Sequence, residues 1–226
     1  MAVKKEFGTS FHVDQIFREN PVRFERFDLF QIGEICCERE YEISLHVQHC
    51  DEISLILSGK GVFYIDEQVF PVRQGDVILN KTGQRHRICS DREEKLRFAY
   101  LGYRFHRNEI GEEWRAVRDY LDAAKQQVVW DHEGMALYFP RALRECYSTV
   151  PQKHLLFEIL VQELLLLTYR DFVRGQAQIP LLDARDSATE ETIYRIMFKQ
   201  CIIHFADSVF KVYNLTIIRV VSFFKF

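Results

Sequence analysis

Three side chains able to ligate a metal ion fall within one short stretch, HVQHCDEISLILSG: His46, His49 and Glu52. A second cluster follows in GDVILNKTGQRH, with Gly75, Gly83 and His86. Imidazole nitrogen combined with carboxylate oxygen suits Fe, Mn, Ni and Zn and leaves coordination positions open for substrate. Successive strand residues face opposite sides, so His46 and Gln48 share a face while His49 points away. Only a bulge would bring His49 round. These residues therefore have two readings: a catalytic metal centre, or a pocket wall that has kept the ligand types without the metal.

The surroundings are strand-like. Ile53, Leu55 and Leu57 share one face, Ser58 to Gly61 turns the chain, and Val62 to Ile65 continues it. Asp66 to Gln68 turns again, Val69 to Val72 pairs back, and Gln74-Gly75-Asp76 precedes the short run Val77 to Leu79. In KLRFAYLGYRF, Leu96, Phe98 and Tyr100 oppose Arg97, Ala99 and Leu101. Turns at this spacing predict about seven short antiparallel strands closed into a jelly roll or small barrel.

Past residue 108 the period becomes helical. Ile110, Trp114, Val117, Leu121 and Ala124 form one stripe of IGEEWRAVRDYLDAAKQQVV, and Pro140 fits the first turn of PRALRECYS. The segment from Lys153 to Arg174 is apolar almost all round. Such a helix needs burial on more than one side. One side can pack on the barrel, and a homodimer interface through Leu156, Leu160, Leu164 and Leu167 would cover the other; a three-layer internal core is the alternative. GQAQIPLLDARDSATEE reads as a linker ending in a capping box, Ser187 with Glu190, ahead of a helix from Thr189 to His204.

Composition narrows the function classes. The net charge of −3 gives no overall basic field for nucleic acid. The six cysteines contain no CxxC, so neither a zinc knuckle nor a disulfide framework is indicated, and reduced thiols in a cytoplasmic protein are expected. MAVKKEFGTSFHVDQ has no apolar core of a signal peptide, and Glu158, Gln162 and Glu163 interrupt the longest apolar stretch, which argues against a membrane span.

Both motif stretches resemble the two boxes of the cupin superfamily. His46 lies six residues before Glu52, six residues separate Glu52 from Gly59, and Gly75, Gly83 and His86 resemble elements of the second box. Two departures stand out: Gln48 occupies the second histidine position of the first box, and Lys81 or Thr82 stands where the second box has proline. In metal-binding cupins, His46, Glu52 and His86 would match three of four ligand positions, and Gln48 fails the fourth.

The wider layout, with ILSGKGVFYIDEQVFPVRQGDVILNKTGQRHR, FAYLGYRF and HFADSVFKVYNL, resembles the AraC/XylS family of transcription regulators. The resemblance implies a mainly β plus α chain: a cupin-like jelly-roll barrel with an N-terminal arm (1–108), antiparallel dimerisation helices (109–174), a linker (175–188) and the start of a helix-turn-helix domain (189–226). It implies a small effector, a sugar or related metabolite, held by His46, Gln48, Glu52, Tyr64, Arg73, His86 and Tyr100 with no metal or other cofactor. The arm, through Phe7, Phe11 and Phe17, could fold over the pocket. Lys211, Arg219 and Lys225 could touch phosphate, but the 35 residues from Thr192 to Phe226 are too few for two helix-turn-helix units. The expectation is a non-enzymatic sensor and homodimer, with promoter DNA a partner of a complete homologue and DNA binding impaired here; a metal-dependent cupin enzyme, a dioxygenase or sugar isomerase, is the alternative.

Overall fold

Period-two apolar patterning broken by Gly, Asp and Asn turns makes short strands that must pair to satisfy their backbone groups. A computed structural model describes residues 8–108 and 110–177. Its strands are β1 (Thr9–Ile16), β2 (Val22–Arg23), β3 (Phe27–Cys37), β4 (Glu42–Val47), β5 (Asp51–Ser58), β6 (Lys60–Ile65), β7 (Gln68–Arg73), β8 (Asp76–Asn80), β9 (Arg85–Ser90), β10 (Leu96–Phe105) and β11 (Val128–Trp130). Helices α1 (Glu112–Ala123), α2 (Phe139–Cys146) and α3 (Lys153–Ala177) complete the described chain.

The strands form two antiparallel sheets. One runs β1-β3-β10-β5-β8-β11 with β2 beside β3, and the other runs β4-β9-β6-β7. Ile35, Ile56, Phe63, Ile65, Val72, Ile88, Leu96 and Phe98 fill the space between the sheets. A second core lies on the opposite face of the larger sheet, where Leu29, Ile32, Leu55 and Leu101 meet Leu121, Phe139, Leu160, Val161 and Leu164 from the helices. Strands β3, β5 and β10 are consequently buried on both faces. Two-sided burial erases the polar alternation by which strands are recognised, so β3 reads as a nearly continuous apolar run.

Two helical boundaries differ from the sequence expectation. The helical run stops at Ala123, and Val128 and Val129 leave it to pair with Ile78 and Val77 of β8. β-branched side chains fit the pleated sheet edge better than a helix end. Helix α3 continues to Ala177, past the expected end at Arg174. Pro140 does stand in the first turn of α2. The Ser187–Glu190 capping box and the segment carrying Lys211, Arg219 and Lys225 lie outside the described residues.

Helix α3 also corrects the expected interface. Leu160 and Leu164 are buried against the chain's own sheet and helices, and Leu167 packs on the same core. Of the four predicted interface residues only Leu156 is exposed, and it joins Leu155, Ile159 and Leu166 on an outward apolar stripe. Among the described residues no helix is long and apolar enough to cross a membrane.

One buried charge on α3 has a measurable consequence. Asp171 is fully buried and accepts the backbone N–H groups of His132 (2.9 Å) and Glu133 (3.2 Å). Burial pushes its carboxyl up to about 7 from its ordinary 3.8, opposed by the His132 N–H bond and reinforced by the charge of Asp131. The folded state thus holds this proton more tightly than the unfolded state. Its contribution is full below about pH 4, falls as pH rises, and is lost above about pH 7, a span on the order of 4 kcal/mol. Asp171→Asn is expected to flatten this fall: in urea denaturation its stability relative to the parent should increase from about pH 5 to pH 8. The same pH dependence in both proteins would show that Asp171 titrates normally.

Candidate functional site

The space between the sheets widens toward one end into a cavity of about 320 Å³, bounded by β1 and β4, an edge strand of each sheet. Cross-strand register builds its wall in three rows. His12, Ile35, Phe98 and Ile56 stand side by side in the first. Asp14, Gly33, Tyr100 and Ser54 make the second, and Ile16, Gln31, Gly102, Glu52 and Asn80 the third.

A glycine opens the second and third rows. A Cβ on Gly33 would lie 2.5 Å from the Tyr100 ring, and one on Gly102 would lie 2.6 Å from Gln31 Cγ. With no side chain at Gly33, Tyr100 crosses toward β1, donating to Asp14 Oδ2 (3.2 Å) and accepting from His12 Nε2 (2.7 Å). With none at Gly102, Gln31 reaches over β10 and donates its amide to Glu52 Oε2 at 2.5 Å. Ser54 (3.2 Å) and Asn80 (3.5 Å) donate to the other Glu52 oxygen. Burial pushes the Glu52 carboxyl up, and Gln48, His46 and the bonds from Ser54 and Asn80 oppose the rise.

The second sheet supplies two imidazoles. His46 on β4 and His86 on β9 are register partners, with ring centroids 4.1 Å apart in an edge-to-face arrangement. His46 Nδ1 donates to the Ser44 carbonyl (2.9 Å), which fixes its tautomer and leaves Nε2 as an acceptor. Burial lowers the His86 pKa to about 4, so its ring is neutral at physiological pH, and its Nδ1 is buried without a hydrogen-bond partner.

Of the predicted ligand-binding residues, His46, Glu52, His86 and Tyr100 line the cavity together. Gln48 is buried behind them, close enough to lower the Glu52 pKa although its Nε2 makes no hydrogen bond of acceptable geometry. Tyr64 and Arg73 do not belong to the site. Tyr64 stacks under Arg87 at 4.0 Å and Arg73 lies over Trp130 at 5.6 Å, because both alternate to the outward side of their strands. His49 is exposed and offers only its carbonyl, to Arg104. The irregularity in β4 falls between Ile43 and His46, too early to turn His49 inward.

Residues 33–167, more than half of the chain, match the family model of the AraC-like ligand binding domain. The chain belongs to this family. No curated protein matches the chain in sequence. Among solved structures, a cupin superfamily protein from Desulfitobacterium hafniense DCB-2 is 16% identical, with a TM-score of 0.32 over 41% of this chain and 77% of that one. The Schizosaccharomyces pombe Cnp3 cupin domain is 16% identical, with a TM-score of 0.32 over 50% of this chain and 69% of that one. A Bacillus subtilis oxalate decarboxylase is 18% identical, with a TM-score of 0.35 over 48% of this chain, which spans 27% of the decarboxylase.

In this AraC-like domain the cupin ligand positions do not fit a metal ion. Glu52 holds amide and hydroxyl donors, Gln48 fills a histidine position, and the two imidazoles pack edge to face. Among the described residues no three His, Cys, Asp or Glu side chains converge to hold a metal.

Sequence reasoning missed His12, Asp14, Arg18, Gln31 and Tyr41, which also line the pocket of the AraC-like domain. Period two along TSFHVDQI places His12, Asp14 and Ile16 on one face, and Gln31 is a polar residue inside an apolar run, so both signals were present. The expected arm is itself a strand: β1 pairs with β3 over most of its length, and Tyr147, at the end of α2, donates to the Asp14 carbonyl at 2.6 Å. Phe11 is exposed beneath Arg97, Phe17 packs partly on the helical core, and Phe7 lies outside the described residues.

Proposed function

We propose that this chain senses a small polar effector, without catalysis, as the effector-binding and dimerisation part of an AraC-type transcriptional regulator. The observation that carries the proposal is the cavity between the sheets, where a few buried polar groups stand among apolar walls formed by Ile35, Ile43, Ile88 and Phe98. Pockets of this composition hold and orient small metabolites. Carbohydrates are among the ligands whose hydroxyl hydrogens the acceptors at His46, Glu52 and Asp14 could receive.

The route outward runs through β1. Asp14 meets the pocket with its carboxylate and the helical layer with its carbonyl, so an occupant that shifts β1 acts on the end of α2. A homodimer through Leu155, Leu156, Ile159 and Leu166 would let that shift alter the pairing of two subunits, and with it transcription.

Calorimetric titration with small polar metabolites tests the sensing role. Saturable binding without turnover is expected, weakened by Ile88→Phe, which fills the cavity. Binding that ignores this substitution would move the site elsewhere, and conversion of the ligand would overturn the non-enzymatic reading.

A further inference from the structure

We infer that the occupant of this pocket bears an ammonium group that pairs with Glu52. The inference rests on the effector-sensing role and narrows its chemistry.

Several donors of the cavity are already engaged. The Gln31 amide is used on Glu52, the Tyr100 hydroxyl on Asp14 and the His46 Nδ1 hydrogen on Ser44. Glu52 Oε2, which holds one donor, and the His46 Nε2 lone pair remain for an occupant, beside the donor groups of Tyr41, Arg18 and His86. A sugar hydroxyl both donates and accepts, whereas an ammonium only donates and brings the positive charge that no residue places beside Glu52.

Charge points the same way. Glu52 is only 6% exposed, and its hydrogen-bond partners Gln31, Ser54 and Asn80 are all neutral dipoles. Among the described residues no lysine or arginine forms an ion pair with it. Burial favours the protonated acid at Glu52, and a cation beside it is the partner that would hold the charged carboxylate. The neighbouring His86 ring is neutral and supplies no counter-charge. Arg18 also lines the cavity but is exposed, placing its charge at the rim. The aromatic walls Phe98 and Tyr100 add faces that attract an organic cation.

The test is calorimetry on the 226-residue chain with matched pairs: D-glucosamine against D-glucose, phenethylamine against 2-phenylethanol, and cadaverine against 1,5-pentanediol. An amine is expected to bind at least about tenfold more tightly than its hydroxyl partner, since a hydrogen bond to a buried charge is worth that much. Glu52→Gln should weaken each amine at least about tenfold and so remove its preference over the alcohol. This variant keeps an oxygen for Gln31 and sheds a buried charge, and circular dichroism checks its fold. Alcohols that bind as tightly as their amines, or an amine preference that survives Glu52→Gln, overturn the ammonium inference. In that event binding that Ile88→Phe abolishes keeps the effector reading intact. No binding by any of the six compounds overturns both.

Discussion

Leu164→Ala is expected to lower the unfolding free energy by about 2–5 kcal/mol. Leu164 is fully buried where α3 meets the larger sheet and the other helices, so truncation leaves a cavity that close-packed neighbours cannot fill. Leu156→Ala, one residue type and one helix face away, should cost less than about 1 kcal/mol in the monomer, because its side chain is 44% exposed. The two variants separate two uses of one apolar helix. Urea denaturation at low protein concentration reads the first effect. Sedimentation at rising concentration reads the second, with Leu156→Ala weakening self-association if the outward stripe joins two subunits. Equal losses of stability from both substitutions would mean that Leu164 does not face the core while Leu156 faces outward.

Gly102→Ala should cost about 2–4 kcal/mol and disturb the pocket at the same time. The added methyl would stand 2.6 Å from Gln31 Cγ and 2.7 Å from Cys50 Sγ, closer than such atoms approach in proteins. Gln31 must swing aside, and the shortest hydrogen bond to Glu52 goes with it. A buried carboxylate that loses a donor bears the desolvation of that oxygen. A double-mutant cycle with Gln31→Ala is the sharper test. Shortening Gln31 removes one of the two clashes, so the double variant should be more stable than the sum of the single losses predicts. Strict additivity would show that Gly102 is not what clears the path for Gln31.

Much of the barrel was legible because its turns and strands obey local rules. His46, Glu52 and His86 were found by type and spacing, and the cavity brings all three together. Tyr64 and Arg73 were misplaced because a sequence does not say which face of a strand looks inward when both neighbours alternate. The same ambiguity hid the partition of α3. A helix apolar all round gives no periodicity from which to choose, and only the packing of α1, α2 and β11 beneath it decides that Leu160 and Leu164 face in while Leu155 and Ile159 face out. Gly33 and Gly102 were silent for another reason. Their role is to be small opposite Tyr100 and Gln31, a pairing across strands far apart in the chain.

The two-sided burial of β3, β5 and β10 makes the change of texture at residue 108 a poor place to divide the molecule. Ile35, Ile56 and Phe98 turn toward the cavity, while Ile32, Leu55 and Leu101, carried by those same strands, turn toward the helices. The sheet is a party wall, and a chain ending at residue 108 would keep a furnished interior behind a bare apolar exterior. Barrel and helical layer are therefore expected to melt as one unit. Whatever stability an occupant lends the cavity, RT ln(1 + [L]/Kd), is lent to the helices in equal measure, with no separate signal required to carry it there.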